Sequence, residues 1–148
     1  MARELASVDD ALLRMRRMWS PDRSAVIDDA GTPVQMSSLL VIEACARASG
    51  PEVTVGDVAA FLDVASSTAS RLIDRAEQAG LVGRVPSEVN SRRTAIVLTD
   101  KGSGLQQRAS RARVAWLGEK LSAWSDDDVA TLGRLLSRFA TAVEHGHP

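Results

Sequence analysis

The stretch that most constrains this chain is residues 54–98, TVGDVAAFLDVASSTASRLIDRAEQAGLVGRVPSEVNSRRTAIVL. Its first part carries Val55, Val58, Ala59 and Leu62 at steps of three and four, the spacing that places side chains on one face of a helix. Ala69, Leu72, Ile73 and Ala76 repeat the pattern, extended by Ala79, with Ser67, Thr68, Ser70, Arg71, Asp74 and Arg75 on the other side. Only a tight turn fits between the two, at residues 63–66. The pattern is a helix-turn-helix whose second helix shows hydroxyls and an arginine outward near its amino end.

Gly80 follows the last periodic residue, where a left-handed backbone ends a helix at little cost. Leu81, Val82 and Val85 then lead into a β-prone run, residues 86–91 are a polar turn, and residues 94–98 return as a second run. Arg92 and Arg93 stand at the end of that turn. A hairpin directly after a helix-turn-helix predicts a winged helix. The expected fold is therefore mainly α with a small β-hairpin wing, flanked by further helices.

At these residues the chain resembles the MarR family of bacterial transcriptional regulators. The likeness lies in Val64 through Arg75 (VASSTASRLIDR), in Gly80-Leu81-Val82 followed by Arg84, in Ser91-Arg92-Arg93, and in Leu98-Thr99-Asp100-Lys101-Gly102. The motif block is about a third of the chain, and the flanking helices extend the likeness along its full length. Each fragment alone is weakly specific; their order and spacing together are strongly so. The resemblance implies a dimeric winged-helix repressor on a partly two-fold symmetric operator, released by a small apolar or aromatic anionic effector. It also implies an aspartate at the position of Ser91 to brace the wing arginines, so bracing here falls to Asn90 or Glu88. Ala65 stands where the family commonly has serine as a helix cap. Alanine accepts no amide hydrogen, which leaves Ser66 or Asp63 for that task.

Composition narrows the function classes. A chain of 148 residues with 45% apolar residues suits one folded unit, and a net charge of -1 argues against indiscriminate coating of nucleic acid. A single cysteine rules out an intramolecular disulfide framework and suits a reducing compartment. With neither a secretory leader nor an apolar run of membrane-spanning length, the expectation is a soluble cytoplasmic protein. The expected organisation is a single MarR-like chain, 1–148, with a winged helix-turn-helix region at 33–99 and helical dimerisation segments at 4–20 and 100–144.

In chain order, Leu5, Val8, Leu12, Met15 and Trp19 form an amphipathic helix that stops before Pro21. Packing on its own domain would cover that stripe; the resemblance instead places the first helix in a dimer interface. Arg14, Arg16, Arg17 and Arg23 read as a solvated face. Residues 21–32 are a connector and 33–48 the next helix, containing Cys45, which reads as a small buried hydrophobe rather than an oxidant sensor. Thr54 and Asp57 resemble a capping box. Thr99 is placed to cap a long helix from Asp100 that Gly102 and Gly104 would weaken, and Asp126 to Asp128 to cap the last. In that last helix Val129, Leu132, Leu136, Phe139 and Val143 form a stripe of the kind that joins helices. Met15, Trp19 and Trp116 could line an effector cleft or serve as ordinary interface residues.

Enzyme chemistry finds no support. The only histidines are His145 and His147, and with one cysteine they make no zinc site. No phosphate-cradling glycine loop or nucleophile elbow occurs, so no catalytic residue, metal or cofactor is expected. The helix, by contrast, fits a major groove. Ser66, Ser67, Thr68 and Ser70 are candidate groove or phosphate contacts, Arg71 a guanine or phosphate contact, and Arg75 a phosphate contact or a partner of Asp74. Arg92 is the candidate for an adjacent minor groove, with Arg93 bracing it or touching backbone. Arginines 71, 75, 84, 92 and 93 outnumber the acids Asp74, Glu77 and Glu88 across this block, enough for local attraction without high overall charge. Two alternatives stay open: a ligand-insensitive DNA-binding protein, and a winged-helix protein-interaction module without DNA.

Overall fold

Thr54 opens the helix-turn-helix. Its Oγ1 accepts from the Asp57 amide (3.2 Å) and the Asp57 carboxylate accepts from the Thr54 amide (2.7 Å), the reciprocal box expected from the sequence. This starts the helix Val55–Leu62, which ends at Asp63 in the left-handed region, φ 52°. A short polar side chain tolerates that conformation better than most, and it turns the chain within three residues into the helix Ser66–Gln78. Ala65 is the amino cap of this second helix and gives no side-chain cap bond. Neither Ser66 nor Asp63 takes over, because Ser66 already lies inside the helix and Asp63 closes the one before it.

The computed structural model of the chain describes residues 1–15, 27, 28 and 30–144. In order the elements are α1 (Ala2–Met15), α2 (Met36–Arg47), α3 (Val55–Leu62), α4 (Ser66–Gln78), β1 (Val82–Pro86), β2 (Thr94–Leu98), α5 (Asp100–Lys120) and α6 (Asp126–Glu144). The chain divides into two units, Met1–Arg108 and Ala109–Pro148. In the first, α2 packs on α3, α4 and β2, and α3 packs on α4. Val41, Ile42, Val58, Ile73, Leu81, Ile96 and Leu105 are fully buried there. Ala69 and Ala76 on α4 are also buried, and their small side chains let neighbouring helices come close.

The helix α2 begins at Met36, three residues later than the expected start at 33. Pro33 is held extended by a bridge to Ile27, so the helix winds only after it. Cys45 is buried on α2 as expected. Burial pushes its thiol up to about 11, since an apolar surround disfavours the thiolate.

A Schellman motif ends α4: the Gly80 amide (φ 73°) donates to the Glu77 carbonyl and the Leu81 amide to the Ala76 carbonyl. The wing follows as an antiparallel pair in the register Val82↔Leu98 to Pro86↔Thr94. Val53 adds a one-residue third strand, its carbonyl accepting from the Ile96 amide at 2.8 Å. Thr99 caps α5, accepting from the Gly102 amide at 3.0 Å. Gly102 does more than weaken that helix. A Cβ there would sit 1.9 Å from the Leu81 carbonyl oxygen, so glycine is what allows α5 to lie against the end of α4.

The second unit holds the rest of α5 and all of α6. The cap of α6 is Ser125, not the acids after it: Ser125 Oγ accepts from the Asp128 amide and donates to its carboxylate. Asp126 to Asp128 instead fill the first turn, where negative charge suits the helix end. No residue of α1 or α6 is buried, and the stripes of Leu5, Val8 and Leu12 and of Val129, Leu136, Phe139 and Val143 are open. Leu132 is half-buried.

Candidate nucleic-acid interface

The buried side of α4 is Ala69, Ile73 and Ala76, which turns Ser66, Ser67 and Arg71 to solvent, while Thr68 and Ser70 are half-buried at the edges. Arg71 is exposed and unpaired among the described residues. Arg75, one turn further, lines a cleft with Gln78, Ala79, Lys101 and the 32–35 segment, which has a volume of about 320 Å³. It does not pair with Asp74. Asp74 instead accepts from Arg84 Nη2 at 2.6 Å, and Arg84 Nη1 reaches Glu77. One arginine on β1 thus grips two acids on α4.

At the wing, the turn between the strands closes on itself. The Ser87 amide donates to the Arg93 carbonyl, and the Arg93 amide to the Asn90 carbonyl. Asn90 Oδ1 accepts from the Arg92 amide at 3.1 Å. Of the two residues expected to substitute for the missing aspartate, it is Asn90 that braces, and it holds the backbone of Arg92 rather than the guanidinium. Arg92 and Arg93 are both exposed, and their guanidinium groups have no partner among the described residues. Glu88 gives its amide, not its carboxylate, to the turn: the amide donates to Glu52 at 2.5 Å.

Glu52 and Arg84 were not singled out as functional positions by the sequence pattern. Glu52 lies 35 residues before Ser87, whose hydroxyl it accepts at 2.6 Å. Nothing in local spacing signals such a contact; only the wing register, with Val53 pairing to Ile96, brings the two together. Arg84 carries a weak signal, because a hairpin strand following α4 must lie beside its carboxyl-terminal half.

Of the expected effector residues, Met15 belongs to the first unit and Trp116 to the second. Met15 is half-buried at the end of α1, and Trp19 lies outside the described residues, as do Arg16, Arg17, Arg23, His145 and His147. In the second unit Trp116 is partly open, with Lys120 Nζ 6.0 Å from its ring centre. Neither Met15 nor Trp116 is among the described lining of the 320 Å³ cleft. Among the described residues no three potential ligands gather at a metal site, and no helix is long and apolar enough to cross a membrane.

Known proteins share this architecture. The MarR family's sequence model matches residues 32–93. The HTH-type transcriptional regulator MgrA of Staphylococcus aureus is 36% identical over 94 residues, 62% of this chain and 61% of that protein. The chain thus spans about three-fifths of the length of the curated relatives it matches. Among solved structures, a MarR family protein from Bacillus stearothermophilus superposes with a TM-score of 0.78 at 22% identity, covering 97% of each chain. Streptococcus pneumoniae FabT in complex with DNA gives 0.66 at 20%, covering 99% of this chain and 96% of that one. These likenesses establish a shared fold. Residues 32–93 are thus similar in sequence to the MarR family, and the backbone shares the fold of the family's solved structures.

Proposed function

We propose that the chain is a non-enzymatic, sequence-specific DNA-binding transcriptional regulator acting as a homodimer on an operator with partial two-fold symmetry. The observation that carries this reading is that α4 and the wing, which an ion-paired arginine joins, each carry exposed arginines without a partner among the described residues. Arg71 faces outward on α4, Arg92 and Arg93 stand on the wing, and Arg84 ties α4 to that wing. In this reading α4 enters the major groove, where Ser67, Thr68, Ser70 and Arg71 meet base edges or phosphates. The start of α4 has no side-chain cap, which leaves the Ser66 and Ser67 amides for a phosphate, while the Thr68 amide already donates to the Ala65 carbonyl. Arg75 meets backbone phosphate, Arg92 the adjacent minor groove, and Arg93 backbone. The FabT structure of the same fold is a complex with DNA, which supports DNA as the partner.

Dimerisation is the second half of the proposal. Leu5 is 61% exposed, Phe139 46% and Val143 51%, and apolar stripes of this length are covered in a working protein. Leu5, Val8 and Leu12 with Val129, Leu132, Leu136, Phe139 and Val143 would join two chains over about 2,000 Å² or more. The dimer acts as a cytoplasmic repressor, released when a small apolar or aromatic anion changes the separation of the two reading heads. Met15, Trp19 and Trp116 are the candidate effector contacts.

The test is selection of random duplex DNA by the purified protein, followed by sequencing. A partly palindromic motif with half-sites about one helical turn apart is expected. Recovery of no enriched sequence at any salt concentration would overturn the reading.

A further inference from the structure

The wing of this chain is anchored from an unexpected place. Glu52 lies in the loop before α3, outside both the recognition helix and the hairpin. Its carboxylate accepts two bonds from the wing turn: from the Ser87 hydroxyl at 2.6 Å and from the Glu88 amide at 2.5 Å. Ser87 passes the constraint on. While donating to Glu52, its oxygen accepts from the Asn90 amide at 2.9 Å, and the Asn90 side chain accepts from the Arg92 amide at 3.1 Å. A continuous run of hydrogen bonds therefore leads from Glu52 through Ser87 and Asn90 to the backbone of Arg92.

We infer that Glu52 is the positioning residue of the wing, ordering the turn that presents Arg92 to DNA. The inference rests on the DNA-binding reading above. Three features support it. Ser87 is buried at 8% exposure although it belongs to a polar turn, so its hydroxyl is held in place and not free to rotate toward water. The neighbouring Val53 is paired with Ile96, which fixes the segment carrying Glu52 to the hairpin it clamps. The charged form is the one the turn favours: the Ser87 hydroxyl, and then the Glu88 amide, hold the Glu52 carboxyl below its ordinary value of 4.5. A carboxylate beneath a DNA-facing wing would ordinarily repel phosphate. Here its lone pairs are directed to turn donors, and charge-assisted bonds are the stronger kind.

Glu52 acts through Arg92, so the two must be thermodynamically coupled. A double-mutant cycle tests this on the full-length protein with the duplex it selects. Glu52→Gln replaces one carboxylate oxygen by an amide donor that cannot accept from the turn, and it is expected to weaken binding about tenfold. In an Arg92→Ala background the same change is expected to cost nothing further. In the DNA-free protein, hydrogen exchange at the Glu88 and Asn90 amides should quicken in Glu52→Gln while the α4 amides keep their parental rates. Ser87→Ala leaves the carboxylate and cuts the run at its next member, so it should reproduce both results if Glu52→Gln folds poorly. Equal losses in both backgrounds, or parental exchange at both wing amides, would overturn the role of Glu52. A parent protein that selects no duplex overturns the DNA-binding reading instead, and the exchange measurement still decides whether Glu52 orders the wing.

Discussion

Arg84 on β1 lies 2.6 Å from Asp74 on α4, and its other terminal nitrogen reaches Glu77 one turn on. The guanidinium spans two acids on α4 and so ties that helix to the wing. Arg84 is about one-quarter exposed and Asp74 about half, so solvent screens the pair and its share of stability is small, about 1 kcal/mol. Arg84→Ala is expected to leave the melting temperature within a few degrees of the parent but to reduce operator affinity by loosening the wing. Arg84→Lys should not restore it, because one ammonium cannot present the fork that holds both acids. Fluorescence anisotropy with labelled operator, beside a thermal melt, reads both quantities. Full affinity in Arg84→Ala would show that the wing is set by the strand pairing alone.

Two glycines of α5 separate conformational cost from close approach. Gly102→Ala places a Cβ against the Leu81 carbonyl, a backbone atom that cannot swing aside. The expected loss is about 3 kcal/mol, at the upper end for overpacking. At Gly104 the nearest atom is the end of the flexible Arg108 side chain, at 3.5 Å, so Gly104→Ala should be neutral or gain up to about 1 kcal/mol of helix propensity. Urea denaturation of both variants, compared by midpoint, checks the pair.

Arg71 and Arg92 should fail differently as DNA contacts. If Arg71 reads a base, Arg71→Ala relaxes preference at one operator position by about 1–3 kcal/mol. Arg92→Ala should lower the salt dependence of binding by about one phosphate's worth and blunt the effect of changes in the A·T-rich flanks. Binding profiles across operator variants at several ionic strengths distinguish the two. An unchanged profile and unchanged affinity would remove the residue concerned from the interface.

Leu136 and Phe139 lie one helical step apart on the open stripe of α6. Replacing both with glutamate should reduce folding as well as assembly, because an obligate dimer lacks a stable folded monomer. Equilibrium ultracentrifugation with circular dichroism measures both. A well-folded parent monomer at micromolar concentration would contradict the proposed dimer.

Cys45 should be silent as a thiol. Burial raises its pKa to about 11, so the thiol stays protonated at pH 7 to 8 and the reactive thiolate is scarce. The folded protein is expected to resist a thiol-specific disulfide reagent at pH 7.5 and to react once unfolded in urea. Rapid modification of the native protein would show that α2 opens locally.

The order of helices and strands was legible in the residues because it depends on periodicity and on local chemistry. Thr54 and Asp57 sit three apart and cap α3; Gly80 takes the left-handed turn that ends α4; Ala69, Ile73 and Ala76 repeat at helical spacing and are buried. Each of these needs only neighbours in the chain. The outward set on α4 followed from the same periodicity, since burying one face of a helix exposes the opposite one. What the tertiary structure alone decided was pairing between distant segments. Asp74 chose Arg84 over its neighbour Arg75, because adjacent residues on a helix point in different directions while a strand packed alongside can reach across. Glu52 found Ser87 across 35 residues, and Gly102 owes its identity to a carbonyl 21 positions earlier. Spacing along a chain governs contacts within a turn or two; beyond that, the packing of whole elements selects the partner.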